Sequence, residues 1–167
     1  LEIAPKACEG IRIPWRPAKN EKTVYQGLGK QTAAELRVLS KGVGMGKVNT
    51  RIITLALGAL ALGDGTYAAK YAEDLTCSGV DDWFLPSKDE LDLAYNRLAQ
   101  NRVGGQDSPV GGFNKGYYWT STDYNNTTAW TEYFMDGQQF DRVQTLSGNN
   151  KPPANPFRVR PIRAFGT

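Results

Sequence analysis

Two stretches decide the fold: Pro86 to Ala99, PSKDELDLAYNRLA, and Tyr117 to Tyr124, YYWTSTDY. In the first, Ser87 and Glu90 stand at the spacing of a capping box, in which the Ser87 hydroxyl accepts from the Glu90 backbone N–H and the Glu90 carboxylate reaches back to the Ser87 N–H. Leu91, Ala94, Tyr95 and Leu98 then recur every three or four residues. This predicts a helix from Lys88 to Ala99 with one apolar stripe and with Asp92, Asn96 and Arg97 facing water. The second stretch is rich in aromatic and β-branched residues, the composition of a strand. The chain therefore changes from helical to alternating period between residues 100 and 117.

Working back from the capped helix, Tyr67, Ala68, Tyr71, Ala72 and Leu75 predict a second helix, with Ser78-Gly79 as its stop. Before it, Ile52 to Leu62 (IITLALGALAL) is apolar almost all round, as in a buried helix capped by Asn49 or Thr50 and ended by Gly63-Asp64-Gly65. This run is shorter than the roughly 20 residues of a membrane span and is interrupted by Gly58, so no membrane insertion is expected. Residues 1–47 read as irregular, broken by Pro5, Pro14 and Pro17 and by Gly27, Gly29, Gly42, Gly44 and Gly46, with room for a helical turn only over Thr32 to Ser40. The opening LEIAPKACEG has neither the basic start nor the apolar core of a signal peptide.

Working forward, Gly104-Gly105 and Gly111-Gly112 bracket a loop. Ala129 to Met135 (AWTEYFM) is a second strand, reached through Asn125-Asn126-Thr127-Thr128, and Asp136-Gly137 turns the chain into Gln138 to Val143. A polar loop over Leu146 to Pro156 leads to a closing strand, Phe157 to Phe165, in which Pro161 implies a bulge or a free edge. Helices followed by an antiparallel sheet give an α+β class, with two to three helices on the sheet and long loops. One domain is expected over residues 1–167, divided into an irregular N-terminal segment (1–47), a helical segment (48–100) and a sheet segment (113–165).

Composition narrows the function. The 167 residues carry a formal charge of +3, too small a bias to mark a nucleic-acid binder. With no histidine, the commonest general base, the Ser-His-Asp and Cys-His pairs and every His-containing zinc site are excluded. Cys8 and Cys77, the only cysteines, cannot make a Cys-based zinc site; they are either two separate buried thiols or one disulfide from the N-terminal segment to a helix end. No metal, cofactor or catalytic residue is expected. The reading is a non-enzymatic recognition module.

Several of these stretches together resemble a known family. The run Gly79 to Leu91 (GVDDWFLPSKDEL), Gly111-Gly112-Phe113, Tyr117 to Thr122 (YYWTST), Ala129-Trp130 and Arg158 to Phe165 (RVRPIRAF) are similar, in order, to the "DWxLPSxxEL", "YWSST", "AW" and "VRxVRAF" pattern of the Lcl C-terminal domain family. LEIAPKACEG is similar to its "APxxCxG" stretch. That family is named after the terminal domain of a bacterial collagen-like adhesin. The resemblance implies a C-type-lectin-like fold, extracellular, cell-surface or virion display, and a homotrimer that binds sulfated glycosaminoglycans through basic residues.

The chain departs from the family at two points. It begins without the family's upstream strand, so either that strand is missing or a neighbouring subunit pairs beside Phe157 to Phe165. The lectin-type calcium motif is also absent, which disfavours calcium-dependent sugar binding. The related formylglycine-generating architecture would need closely spaced reactive cysteines, and this chain has none.

Candidate ligand-binding residues are Tyr124, as part of an aromatic platform for sugar rings, and Arg142, Lys151, Arg158, Arg160 and Arg163, a local excess of positive charge whose guanidinium forks suit sulfate or carboxylate. The competing explanation has these arginines paired inside the domain with Asp81, Asp82, Glu132 or Asp136. Among Trp83, Trp119, Trp130 and the neighbouring tyrosines, most belong to the core, and Tyr124 beside the hairpin loop is the one expected to be exposed. Alternation puts Tyr117 with Trp119 on one face, Tyr118 with Tyr124 on the other, and Trp130 with Phe134. Asp89 and Glu90 are explained by the helix dipole. The overlapping Asn-x-Thr sequons at Asn125 and Asn126 mark a surface loop. Lys47 lacks the spacing of a phosphate loop. The expected function is adhesion to a glycan or another anionic polymer; the alternative is a structural subunit of a surface fibre or phage particle.

Overall fold

The structure, a computed structural model, describes residues 1–17, 40–59, 66–100, 110–125, 127–143 and 157–165. In chain order come β1 (Glu2–Ile3), a 3-10 turn (Lys6–Cys8), β2 (Gly10–Ile11), α1 (Gly46–Ala59), α2 (Ala68–Glu73) and α3 (Lys88–Ala94), which continues as a π-helical turn (Tyr95–Ala99). The strands β3 (Tyr117–Asp123), β4 (Thr128–Tyr133), β5 (Gln138–Val143), β6 (Arg158–Val159) and β7 (Ile162–Arg163) follow. The class is α+β. The helical turn expected over Thr32 to Ser40, the Gly63 to Gly65 stop, the Gly104-Gly105 bracket and the loop from Leu146 to Pro156 fall outside the described residues, Ser40 excepted.

The capping box forms as its spacing predicts: Ser87 Oγ accepts from the Glu90 N–H at 3.3 Å, and Glu90 Oε2 accepts from the Ser87 N–H at 2.8 Å. Glu90 does more than cap its own helix. Its two oxygens also accept from the N–H groups of Gly44 (2.9 Å) and Gly46 (3.1 Å), so one buried carboxylate satisfies orphan donors at the starts of both α1 and α3. Gly46 permits this approach, because a Cβ there would collide with the Glu90 carboxylate and lie 2.8 Å from the Leu85 carbonyl oxygen.

This starts α1 at Gly46, at least four residues earlier than a cap at Asn49 or Thr50 would, and neither of these is its cap. Both are buried inside the first turns. Asn49 Nδ2 donates to the Ser40 carbonyl and to Ser121 Oγ, while Thr50 Oγ1 donates to the Gly46 carbonyl and accepts from the Leu85 N–H. α2 also ends before the expected stop. Ser78 and Gly79, at φ 55° and 76°, instead form the positive-φ centre of a tight turn joining Cys77 to Val80.

Among the described residues, five strands form one sheet in the order β2-β6-β3-β4-β5, and β1 pairs with β7 in a second, two-stranded sheet. The sheet is mixed, since β3 runs parallel to β6 through Tyr118 and Arg158 while the other pairs are antiparallel. The expected closing strand is divided at Arg160-Pro161: its first half lies in the large sheet and its second half pairs with β1 and meets Phe84. Proline lacks the N–H that a continuous ladder would need.

Within the N-terminal segment, residues 1–17 contribute two short strands and a 3-10 turn to the fold. The two strands lie directly against β6 and β7, so the position beside Phe157 to Phe165, suggested above for a neighbour's strand, is filled by the chain itself.

Alternation along β3 then divides the core. Trp119 faces α1, α2, Trp15 and Phe157, and Tyr118 faces Leu91, Tyr95, Phe113 and Phe134. Trp119 Nε1 donates to the Ile13 carbonyl and Trp15 Nε1 to the Thr120 carbonyl, so the N-terminal segment is fastened to β3 at both indoles. Cys8 and Cys77 form a disulfide across 69 residues of sequence, inside a third cluster with Ala4 and Trp83. In the chain-entropy account, closing a loop of that length contributes about 4 kcal/mol through the unfolded state.

Candidate functional site

Among the described residues, the basic side chains singled out in the sequence do not form one surface. Pairing β2 with β6 carries Glu9 under the C-terminal arginines, and its carboxylate becomes the centre of a buried network. Glu9 Oε1 accepts from Arg158 Nη1 at 2.5 Å and from Asn114 Nδ2 at 3.1 Å; Oε2 accepts from Arg160 Nη2 (2.5 Å), Arg160 Nε (3.1 Å) and the Tyr118 hydroxyl (2.8 Å). The remaining Arg160 donors reach the carbonyls of Ala4, Gly111 and Gly112, and its guanidinium lies 4.6 Å from the centre of the Phe113 ring.

Arg160 is 1% exposed and so has no surface to offer a ligand, which corrects its assignment as a ligand-binding residue. The Arg158 side chain keeps 15% exposure, with its charge turned inward to Glu9. Burial alone would raise the Glu9 pKa. The hydrogen bonds and charge of Arg160, followed by hydrogen bonds from Tyr118 and Arg158, outweigh it and hold the carboxyl below its usual value.

Arg163 sits at the other end of the closing segment. Its Nε donates to Glu2 at 2.6 Å and its Nη1 to Asp82 at 3.5 Å. Of the four internal partners considered from the sequence, only Asp82 holds one of these arginines; Glu9 and Glu2 were missed. The signal lay in the opening stretch, where Glu9 follows Cys8 directly, yet only long-range strand pairing brings it to residues 158 and 160. Lys151 lies outside the described residues.

Arg142 has a different setting. On β5 it alternates with Phe140, and the register Thr131↔Phe140 and Ala129↔Arg142 puts both on the sheet face that carries Tyr117 and Tyr133. Tyr117 stacks on Tyr133 with ring centres 4.6 Å apart, and Phe140 meets Tyr117 edge-on at 6.1 Å. The Arg142 guanidinium carbon lies 4.7 Å from the Phe140 ring centre and 5.1 Å from that of Tyr117.

All four side chains are half-buried, neither core nor fully solvated. Arg142 forms no ion pair among the described residues; its Nη1 donates to its neighbour's carbonyl at 3.3 Å and its Nη2 to the Tyr117 hydroxyl at 3.4 Å, while its Nε is buried without a partner. A fork-shaped cation thus lies on an aromatic floor with hydrogen-bonding capacity to spare. Phe140 was not singled out from the sequence. Its position two residues before Arg142 in an alternating strand was the available signal.

Tyr124 is exposed at 58% and meets Trp130 edge-on, at 5.3 Å between ring centres, with Lys88 Nζ 4.8 Å over the Trp130 ring. This patch lies on the opposite face from Arg142, so the two exposed candidates do not converge. Beneath it, Glu132 is fully buried, with Oε2 bonded to Gln139 Nε2 at 3.3 Å and Oε1 unpartnered. Burial first, and then the nearby charge of Asp92, push its carboxyl up to about 8, against the weaker opposing effects of Gln139 and Lys88. No group of carboxylates and thiols able to hold a metal occurs among the described residues. Compared with known proteins, the chain matches no family model and no curated protein, so the resemblance to the Lcl C-terminal domain family rests on its motifs alone.

Proposed function

We propose that this chain is a non-enzymatic recognition module of C-type-lectin-like fold, related to the Lcl C-terminal domain family and displayed outside a bacterial cell or on a virion. Its ligand is a glycan bearing carboxylate or sulfate groups. The observation that carries this reading is the Tyr117, Tyr133, Phe140 and Arg142 face. Its rings offer an apolar surface with a negative quadrupole to the C–H face of a sugar, and Arg142 offers a planar donor fork to an acidic substituent. The disulfide suits an oxidising compartment. No helix among the described residues is long and apolar enough to cross a membrane. One such face binds weakly; repetition in the trimer that the resemblance implies supplies avidity without new contacts.

The ligand face differs from the one expected from the sequence, because Arg158 and Arg160 are occupied by Glu9. The alternative, a fibre subunit completed by a neighbour's strand, has lost the socket that favoured it, since β1 and β2 pair at that position. A glycan array run with light-scattering mass on the same sample tests the reading. Retention of acidic glycans that weakens with salt and is lost in Arg142→Ala and Tyr133→Ala is the expected result. Retention unchanged by both substitutions, or absent from every acidic glycan, would overturn it.

A further inference from the structure

A cleft of about 470 Å³ opens between the first two turns of α1 and residues 81–84, on elements separate from the aromatic face. Its volume lies in the range of small-molecule sites, roughly 300–1,000 Å³. The floor is apolar, formed by Val48 and Ile52 from α1 and by Trp83 and Phe84 opposite. The second wall is held in place before any ligand arrives: Trp83 Nε1 donates to the Val80 carbonyl at 3.0 Å, and Phe84 exchanges two backbone hydrogen bonds with Ile162, at 2.8 and 3.0 Å. A wall fixed in advance loses little freedom on binding.

The charges around this floor sort into committed and free. Arg51 is tied to Glu73 at 3.2 Å, and Asp82 is taken by Arg163. Lys47 on the α1 wall and Asp81 on the opposite wall are both exposed, and neither has a side-chain partner among the described residues. One unpaired cation and one unpaired anion therefore flank an apolar surface. A polyanion meets Asp81 and Asp82, and a polycation meets Lys47 and Arg51. A molecule with an apolar body and one charge of each sign satisfies both walls.

We infer that this cleft binds an apolar zwitterion, the chemistry shared by a free aromatic or aliphatic amino acid and a short peptide with both ends free. The side chain rests on Val48, Ile52, Trp83 and Phe84, the carboxylate meets Lys47, and the ammonium meets Asp81. The aromatic face of the sheet takes no part, so failure at either site leaves the other untouched.

Isothermal titration of the full chain with L-phenylalanine, with leucyl-phenylalanine, and with the same dipeptide acetylated and amidated tests this. Saturable binding of at least one of the first two is expected, and whichever binds tighter identifies the source. Capping the dipeptide, Asp81→Asn and Lys47→Met should each weaken binding about tenfold. Both substituted side chains are exposed and unpaired, so thermal unfolding checks that the variants remain folded. Absence of saturable binding by both free ligands, equal binding of the capped dipeptide, or undiminished binding by folded Asp81→Asn and Lys47→Met would overturn the proposal.

Discussion

Glu9 and Arg160, 151 residues apart in sequence, form a buried ion pair in which one carboxylate oxygen accepts two guanidinium hydrogen bonds, at 2.5 and 3.1 Å. Arg158 and Tyr118 complete the shell, so removal of the carboxylate charge leaves two guanidinium groups uncompensated away from water. Breaking a buried pair in this way costs about 3–5 kcal/mol. Glu9→Gln is therefore expected to lower stability by about that amount in urea unfolding. A loss of a few tenths of a kcal/mol would show that the network is incidental.

The same pair predicts acid sensitivity. Because the folded-state pKa of Glu9 is depressed, the stability it contributes is fully present above its ordinary value of 4.5 and is lost as pH falls through the lower folded value. Wild-type stability should fall in that acid window, and Glu9→Gln should lose this share of the decline. Parallel acid profiles of the two proteins would contradict the assignment.

Arg142 and Arg160 should respond oppositely to truncation. Arg160→Ala removes a side chain that holds Glu9 and three carbonyls, and is expected to cost about 3–5 kcal/mol. Arg142→Ala removes only half-exposed contacts with rings, for about 1 kcal/mol or less. Thermal unfolding separates the two, and comparable losses would mean that Arg142 is structural instead of being available to a ligand.

Glu132 should act with the opposite sign to Glu9. Its folded-state pKa is raised to about 8 from 4.5, so across that window the folded chain keeps a proton that the unfolded chain has released. Stability then falls as pH rises from about 4.5 to 8 and levels off above it. Lys88 and Asp92 on α3 and Gln139 on β5 are the groups that face it. Glu132→Gln should flatten this decline, and denaturant midpoints measured across the window check it. An equally steep decline in the variant would assign the effect to another group.

Reduction of Cys8–Cys77 frees the loop that the disulfide closes and should lower stability by about 4 kcal/mol in the chain-entropy account. Denaturant unfolding with and without reductant measures this. A Cys8→Ala, Cys77→Ala double variant should match the reduced protein, and a stability equal to that of the oxidised chain would remove the disulfide from the account.

Local signals were legible wherever neighbours in sequence settle the geometry. The Ser87 and Glu90 box, the helical stripe to Ala99, the Asp136-Gly137 turn and the alternation separating Tyr117 from Tyr118 all involve residues within a few positions of one another. Signals that depended on distant partners failed. Asn49 looked like a cap because its residue type suits one, but Glu90, 44 residues after Gly46, already satisfies the start of α1. Arg158 and Arg160 looked like a basic patch because nothing near them in sequence is acidic.

By itself the sequence determined the helices and strands from Gly46 onward in outline, the α+β class, the absence of histidine chemistry and the alternation that splits Tyr117 from Tyr118, because capping, turn chemistry and period are written in adjacent residues. Only the tertiary structure decided that the first eleven residues pair with the last strands, that Glu9 thereby neutralises the arginines most suited to an anion, and that Arg142 remains over open rings. An arginine's availability depends on where its counter-charge lies in space, and backbone pairing across the whole length of the chain sets that position.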